Sequence, residues 1–282
     1  MFRSIFVAIH DSSAAQRALH MSVRIARVSG ARLHGLFVED PSRLFYVPLT
    51  STVSTSVIGE PPFYVPLPPK DLFEEEERIE VEERQILQVF RGACDDEGLQ
   101  GQFRAIQGRV DETIVRCSRS VDLIVMGFNG SNFGLGNVVE PVLRQSARPV
   151  LLVPSTGRVE GPIIFAYDGS HAAQRAMVAG AHLLGFEAFS DVHVVIAGDP
   201  GEDRDAAERD AREYLSVYCD NLTIHAIERQ SPTQAIRGCI DSSQGGLLVM
   251  GAFGNSRFKE LLFGSTTRDI LETAECLVLM AS

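Results

Sequence analysis

The feature that most constrains this chain is that it repeats itself. Ala14-Ala15-Gln16-Arg17-Ala18 recurs as Ala172-Ala173-Gln174-Arg175-Ala176. Each copy follows a short apolar run, Phe2 to Ile9 or Ile163 to Tyr167. Each opens a stretch with helical spacing, Ser13 to Val28 (apolar at Ala14, Ala18, Met21, Ile25 and Val28) or Ser170 to Leu184. His34 to Val38 then corresponds to His193 to Ala197, and Ile124-Val125-Met126-Gly127 to Leu248-Val249-Met250-Gly251. A last apolar run closes each half, Pro149 to Val153 and Cys276 to Met280. Matches in one order predict a tandem duplication, residues 1–154 and 161–282, joined by a segment of linker chemistry at 154–161. A length of 282 residues has room for two ordinary domains. Strand and helix alternate in each half, so the expected fold is a parallel α/β sheet with helices on both faces.

The second half carries the most distinctive stretch, Gly251 to Thr267. It lies between the apolar run Leu247 to Met250 and the amphipathic run Arg268 to Glu275, which makes it a strand-to-helix loop. Gly251 and Gly254 offer tight turning and close backbone approach to a ligand. Gly264, Ser265, Thr266 and Thr267 fall where a helix begins, and free N–H groups with hydroxyls there favour an anion, phosphate above all. The spacing, G-x2-G-x9-G-S-T, matches neither the P-loop nor the dinucleotide fingerprint.

With those gaps, the hydroxyl residues after the third glycine and a strand ending Val249-Met250-Gly251, the loop resembles the ATP-binding loop of the universal stress protein family. Both halves resemble its domains, so the likeness covers nearly the whole chain. The resemblance implies two tandem doubly wound, Rossmann-like domains, each a five-stranded parallel sheet of order 3-2-1-4-5. Such sheets bind ligands at the carboxyl ends of the strands where the order reverses. It also implies an adenine-nucleotide site in the second half. Asp168 would accept hydrogen bonds from the ribose, Ala166 and Tyr167 would line the base pocket with backbone and apolar surface, and Ile196 or Ala197 would cover the adenine. Met250, Gly251, Phe253, Gly254, Gly264, Ser265, Thr266 and Thr267 would form the strand end and phosphate cradle. Arg257 and Lys259 either add positive charge there or are solvated loop residues. Asp168 has a second reading, as an N-cap for the helix opening at Ser170. The implied ligand is ATP, with ADP or AMP as variants and Mg²⁺ as companion ion.

The first half departs from this pattern. Aligned through the shared string, His10 stands where Asp168 stands, although a one-residue slip would bring in Asp11. Gly127 and Gly130 are kept, but the third glycine is best matched by Gly136, which leaves five intervening residues instead of nine. Asn137-Val138-Val139-Glu140 replaces the hydroxyl run, and the carboxylate of Glu140 would oppose phosphate. The first half is therefore expected not to bind ATP. It also carries an insertion of roughly 41–70 with seven prolines, which forbid a regular helix or central strand. The insertion reads either as a lid or contact surface or as a surface excursion. After it, Asp71 starts an acidic helix to about Glu97 whose charges suit the helix dipole.

Composition narrows the rest. A net charge of −11 argues against a nucleic-acid partner, which needs a basic face. No apolar run reaches the length of a membrane span, and the apolar start at residues 1–9 is too short for a signal sequence. Five scattered cysteines and seven dispersed histidines show no metal-ligand spacing, so the reading is a reduced cytoplasmic protein without a metal centre. No catalytic constellation stands out. The expected function is an ATP-binding stress-response module, with at most weak hydrolysis or autophosphorylation at Ser265 or Thr266. The alternatives are an adenine-nucleotide-dependent enzyme and a nucleotide-free scaffold. The two halves are expected to pair as an intramolecular pseudo-dimer through their last strands, with a homodimer as a further option.

Overall fold

The computed structural model describes residues 1–40, 52–55, 63–66, 70–129, 138–252 and 265–282. The first half runs β1 (Ser4–Ala8), α1 (Ser13–Ser29), β2 (Arg32–Glu39), β3 (Thr52–Thr55), β4 (Phe63–Pro66), α2 (Lys70–Asp96), β5 (Gly101–Gln107), α3 (Val110–Cys117), β6 (Leu123–Phe128), α4 (Val139–Gln145) and β7 (Val150–Pro154). The second runs β8 (Gly161–Ala166), α5 (His171–Ala181), β9 (Phe189–Ala197), α6 (Glu202–Leu215), β10 (Leu222–Ile227), α7 (Pro232–Ser243), β11 (Leu247–Gly251), α8 (Ser265–Thr273) and β12 (Leu277–Ala281). Within the 41–70 insertion only β3 and β4 are described, as an antiparallel pair; the remainder of that expectation lies outside the described residues.

Each half has the expected doubly wound order, β5-β2-β1-β6-β7 and β10-β9-β8-β11-β12, with every internal neighbour parallel. The two sheets join edge to edge into ten strands, because β7 and β12 pair antiparallel. Leu151 faces Leu279 across that seam, and the two are equivalent positions: Val125 pairs with the first, Val249 with the second. Self-pairing of equivalent residues is what a local two-fold axis requires. The seam removes two edges that would otherwise present unpaired backbone groups.

Strand alternation sorts the side chains into two cores, and each core spans both halves. Ile5, Val7, Leu123, Val125, Ile163, Phe165, Leu247 and Val249 pack beneath α1, α2, α5 and α6. Phe6, Ile124, Met126, Ile164, Leu248 and Met250 pack on the other face against α3, α4, α7 and α8. The acidic helix α2 sits on the first face through Ile79, Ile86, Phe90 and Cys94, a stripe at helical spacing. Helix α5 is shorter than its periodicity suggests. His182, Leu183 and Leu184 donate three residues back, to Ala179, Gly180 and Ala181, so the chain leaves the α-helix through a tighter turn.

A crevice at the strand ends

The second half's candidate site begins where β8 ends. Tyr167 extends the ladder by one residue, its N–H donating to the Val195 carbonyl at 3.0 Å. Asp168 follows, exposed, and its Oδ1 accepts from the Ser170 N–H at 3.0 Å. This is an Asx turn, and Gly169 completes it at φ +74°, where a glycine is favoured. Ser170 is the N-cap of α5, its Oγ accepting from Ala173 N at 3.2 Å. Asp168 thus shapes the turn before the helix, and the capping hydroxyl belongs to Ser170.

Alternation decides which neighbours face the crevice from the α7–α8 side. Ala166 and Ala197 are both half-buried there, beside buried Met250. Tyr167 and Ile196 point the other way, 3% and 2% exposed, into the core under α5 and α6. The apolar surface of Tyr167 is therefore spent on that core, and only its backbone lies at the crevice. Burial pushes its phenol pKa up, the Asp210 and Asp168 charges push it further, and a hydrogen bond with Gln174 acts in the opposite sense.

Gly251 ends β11 next to this turn, since Met250 pairs with Ala166 in the sheet register. Packing supplies a reason for a glycine here that the sequence reading did not name. A Cβ on Gly251 would stand 2.6 Å from Ala173 N and 2.8 Å from the Ala172 carbonyl carbon. Its missing side chain makes room for the first turn of α5. Gly127 does the same in the first half, with Ala14 and Ala15 backbone atoms at 2.4–2.6 Å. Beyond Gly251, Ser265 and Thr266 are the first residues of α8, and Thr267 is buried, 4% exposed. Phe253, Gly254, Arg257, Lys259 and Gly264 lie outside the described residues. Parallel connections bring a helix back from the carboxyl end of its strand, so α8 starts on the crevice side of the sheet.

The first half presents a different crevice. Ile9 N donates to Leu36 O as Tyr167 N does to Val195 O, and Ser12 caps α1 as Ser170 caps α5. The equivalence runs without a slip, so His10 occupies the Asp168 position. The Ser12 N–H there takes the His10 carbonyl at 2.8 Å in place of a carboxylate. Glu140, in the first turn of α4, is paired with Arg144 of its own helix at 2.8 Å. Above these strand ends lies a cavity of about 830 Å³, walled by α2 through Glu77, Arg78, Val81, Glu82 and Gln85. Among the described residues, Asp11, Asp40, Glu77 and Glu82 outnumber Arg78 in its charged lining. Sequence reasoning did not foresee this cavity. Its signal was the acidic helix after the proline-rich insertion, read there as a helix-dipole effect.

Fold and crevice define a doubly wound α/β protein whose sheet order reverses at the crevice. The universal stress protein family model matches residues 50–154 and 161–282, and the chain belongs to that family. A Synechocystis universal stress protein is 29% identical over 167 residues, 56% of this chain and 57% of that protein. A Mycobacterium tuberculosis universal stress protein is 24% identical, with 62% of this chain and 63% of that protein aligned. The chain thus spans less than two thirds of the length of these relatives. Among solved structures, a universal stress protein from Archaeoglobus fulgidus superposes with a TM-score of 0.73 at 18% identity, covering 99% of this chain and 98% of that one. A protein of unknown function from Pseudomonas aeruginosa gives 0.59 at 19%, covering 99% and 92%. Among the described residues no helix is long and apolar enough to cross a membrane.

Proposed function

We propose that the chain is a nucleotide-binding regulatory module of the stress-response type, holding one adenine nucleotide, ATP, at the crevice of its second half. One observation carries this reading: the Asp168 turn and the start of the G-x2-G-x9-G-S-T loop sit on neighbouring strand ends at the point where the sheet order reverses. The residues suit the group. Ala166 and Ala197 offer small, half-buried apolar side chains on one face for a base. Asp168 is exposed and its carboxylate can accept from ribose hydroxyls while Oδ1 keeps its turn. The opening of α8 supplies backbone N–H groups, with Ser265 and Thr266, for phosphate oxygens and for a Mg²⁺ that accompanies them. The nucleotide brings the anionic charge, and the chain's own part is to bind and orient it.

The first half takes no ATP in this reading. His10 replaces the carboxylate, and an acidic lining repels a polyphosphate. The domains are proposed as 1–154 and 161–282, acting as one internally paired unit, which is in turn available to form a homodimer.

The test is to denature the purified chain and identify released nucleotide by mass spectrometry, beside a Gly264→Glu variant. About one ATP or ADP per chain, lost in the variant, supports the reading. Two per chain would overturn the assignment of the first half. None, with no uptake of added ATP-Mg²⁺, would favour a nucleotide-free scaffold.

A further inference from the structure

Three side chains separated in sequence meet on the α7 face of the second half. His193 on β9 and His225 on β10 lie on neighbouring parallel strands, offset diagonally, since His193 pairs with Thr223 and Val195 with His225. Both therefore project to the same face. Their rings stack with centroids 5.2 Å apart, and His193 Nδ1 stands 2.9 Å from His225 Nε2. Cys239, on α7, covers them from above and is 5% exposed. One nitrogen of each ring and the Cys239 Sγ lie within 4.8 Å of one another.

We propose that His193, His225 and Cys239 form a binding site for a zinc-class ion, with the fourth position left to water. Two imidazoles and one thiolate are the donor set such an ion prefers. Zn–N bonds of about 2.0–2.1 Å and Zn–S of about 2.3 Å put tetrahedral donors roughly 3.3–3.6 Å apart. The nitrogens need open by only about 0.4 Å, and the sulfur close by at most about 1.2 Å, within the reach of side-chain torsions. The imidazoles are half-buried, so the site has one solvent-facing side for entry and for water. On binding, the Cys239 thiol proton leaves to solvent, and the proton bridging the rings moves to the outer nitrogen of its own ring.

The first half is an internal control. By register His34 is the counterpart of His193, and Arg104 that of His225. Cys117 matches Cys239 when the buried Ile114 and Ile236 are superposed. A guanidinium has no lone pair to give and carries a permanent charge, so this half cannot assemble the site. About four residues of β9 separate His193 from Ala197, roughly 13 Å along the strand, which makes the site independent of the nucleotide crevice.

The experiment uses the chelator-stripped full chain, with Zn²⁺ titrated against a chromogenic chelator and Co²⁺ followed by absorption. The expected result is one Zn²⁺ per chain and a thiolate-to-Co²⁺ charge-transfer band. His225→Arg, copying the first half, and Cys239→Ser should each weaken uptake at least ten-fold, and Cys117→Ser should not. Far-UV circular dichroism checks their folding. Should either variant misfold, protection of Cys239 from alkylation by Zn²⁺ in the unaltered chain decides the matter by peptide mapping. No uptake above the chelator background, Co²⁺ uptake without the band, or an unprotected Cys239 would overturn the proposal.

Discussion

Replacing Gly251 by alanine tests how the crevice is built. The added Cβ would meet Ala173 N at 2.6 Å, the Ala172 carbonyl carbon at 2.8 Å and the Ala172 Cβ at 3.0 Å. Non-bonded carbons settle at about 3.5–4.0 Å, so α5 must retreat from β11 by roughly 0.5–1 Å. Overpacking of this kind costs about 1–3 kcal/mol. The loss of glycine's freedom in the unfolded chain returns about 0.4–1 kcal/mol, leaving a net destabilisation of about 1–2 kcal/mol. At about 2–4 °C per kcal/mol, thermal unfolding should fall by about 2–8 °C. Gly127→Ala should cost at least as much, because all three of its nearest atoms are backbone, at 2.4, 2.5 and 2.6 Å. The two differ in function: the retreat of α5 drags the Asp168 turn only in the second half. Gly251→Ala should therefore weaken ATP binding, while Gly127→Ala leaves it intact. An unchanged melting temperature for Gly251→Ala would refute the packing argument, and equal loss of ATP binding in both would refute the assignment of the site.

Three further predictions follow from the same structure. Gly238 sits exposed inside α7 with nothing within 4 Å of a Cβ, so Gly238→Ala should stabilise the chain by about 0.5–1 kcal/mol, read by thermal melting. Cys276 is fully buried and desolvation pushes its thiol pKa up to about 11, so at pH 8 peptide mapping should find it alkylated only after denaturation. Burial, followed by the hydroxyl of Tyr218, raises Tyr214 to about 12. A folded pKa above the unfolded value gives stability that is whole below pH 10 and is lost as pH rises towards 12. Denaturation at stepped pH should show that decline, and Tyr218→Phe should make it shallower.

How far the chain could be read from its letters depends on the range of the physics involved. The repeat, the alternation of strand and helix and the helix openings at Ser13 and Ser170 were legible, because apolar periodicity and capping residues act over a few positions; the strand order of each half came from the family resemblance. The candidate site was legible in outline, as the Asp168 turn and the glycine loop. The direction of its side chains was less so. Tyr167 and Ile196 share a face opposite to Ala166 and Ala197, and only the strand register assigns the faces to helices. Gly251 was recognisable as a place of close approach, but an absent Cβ does not say what approaches. Here it is α5.

The sequence by itself determined two copies of one alternating strand–helix unit and concentrated the glycine-loop motif in the second, since both follow from residue spacing along the chain. Only tertiary structure decided the antiparallel register of the β7–β12 seam, which the family resemblance implied only in outline, the acidic cavity beneath α2 and the meeting of His193, His225 and Cys239. Each of these joins segments far apart in sequence, and such encounters are set by strand register and packing, which no local pattern encodes.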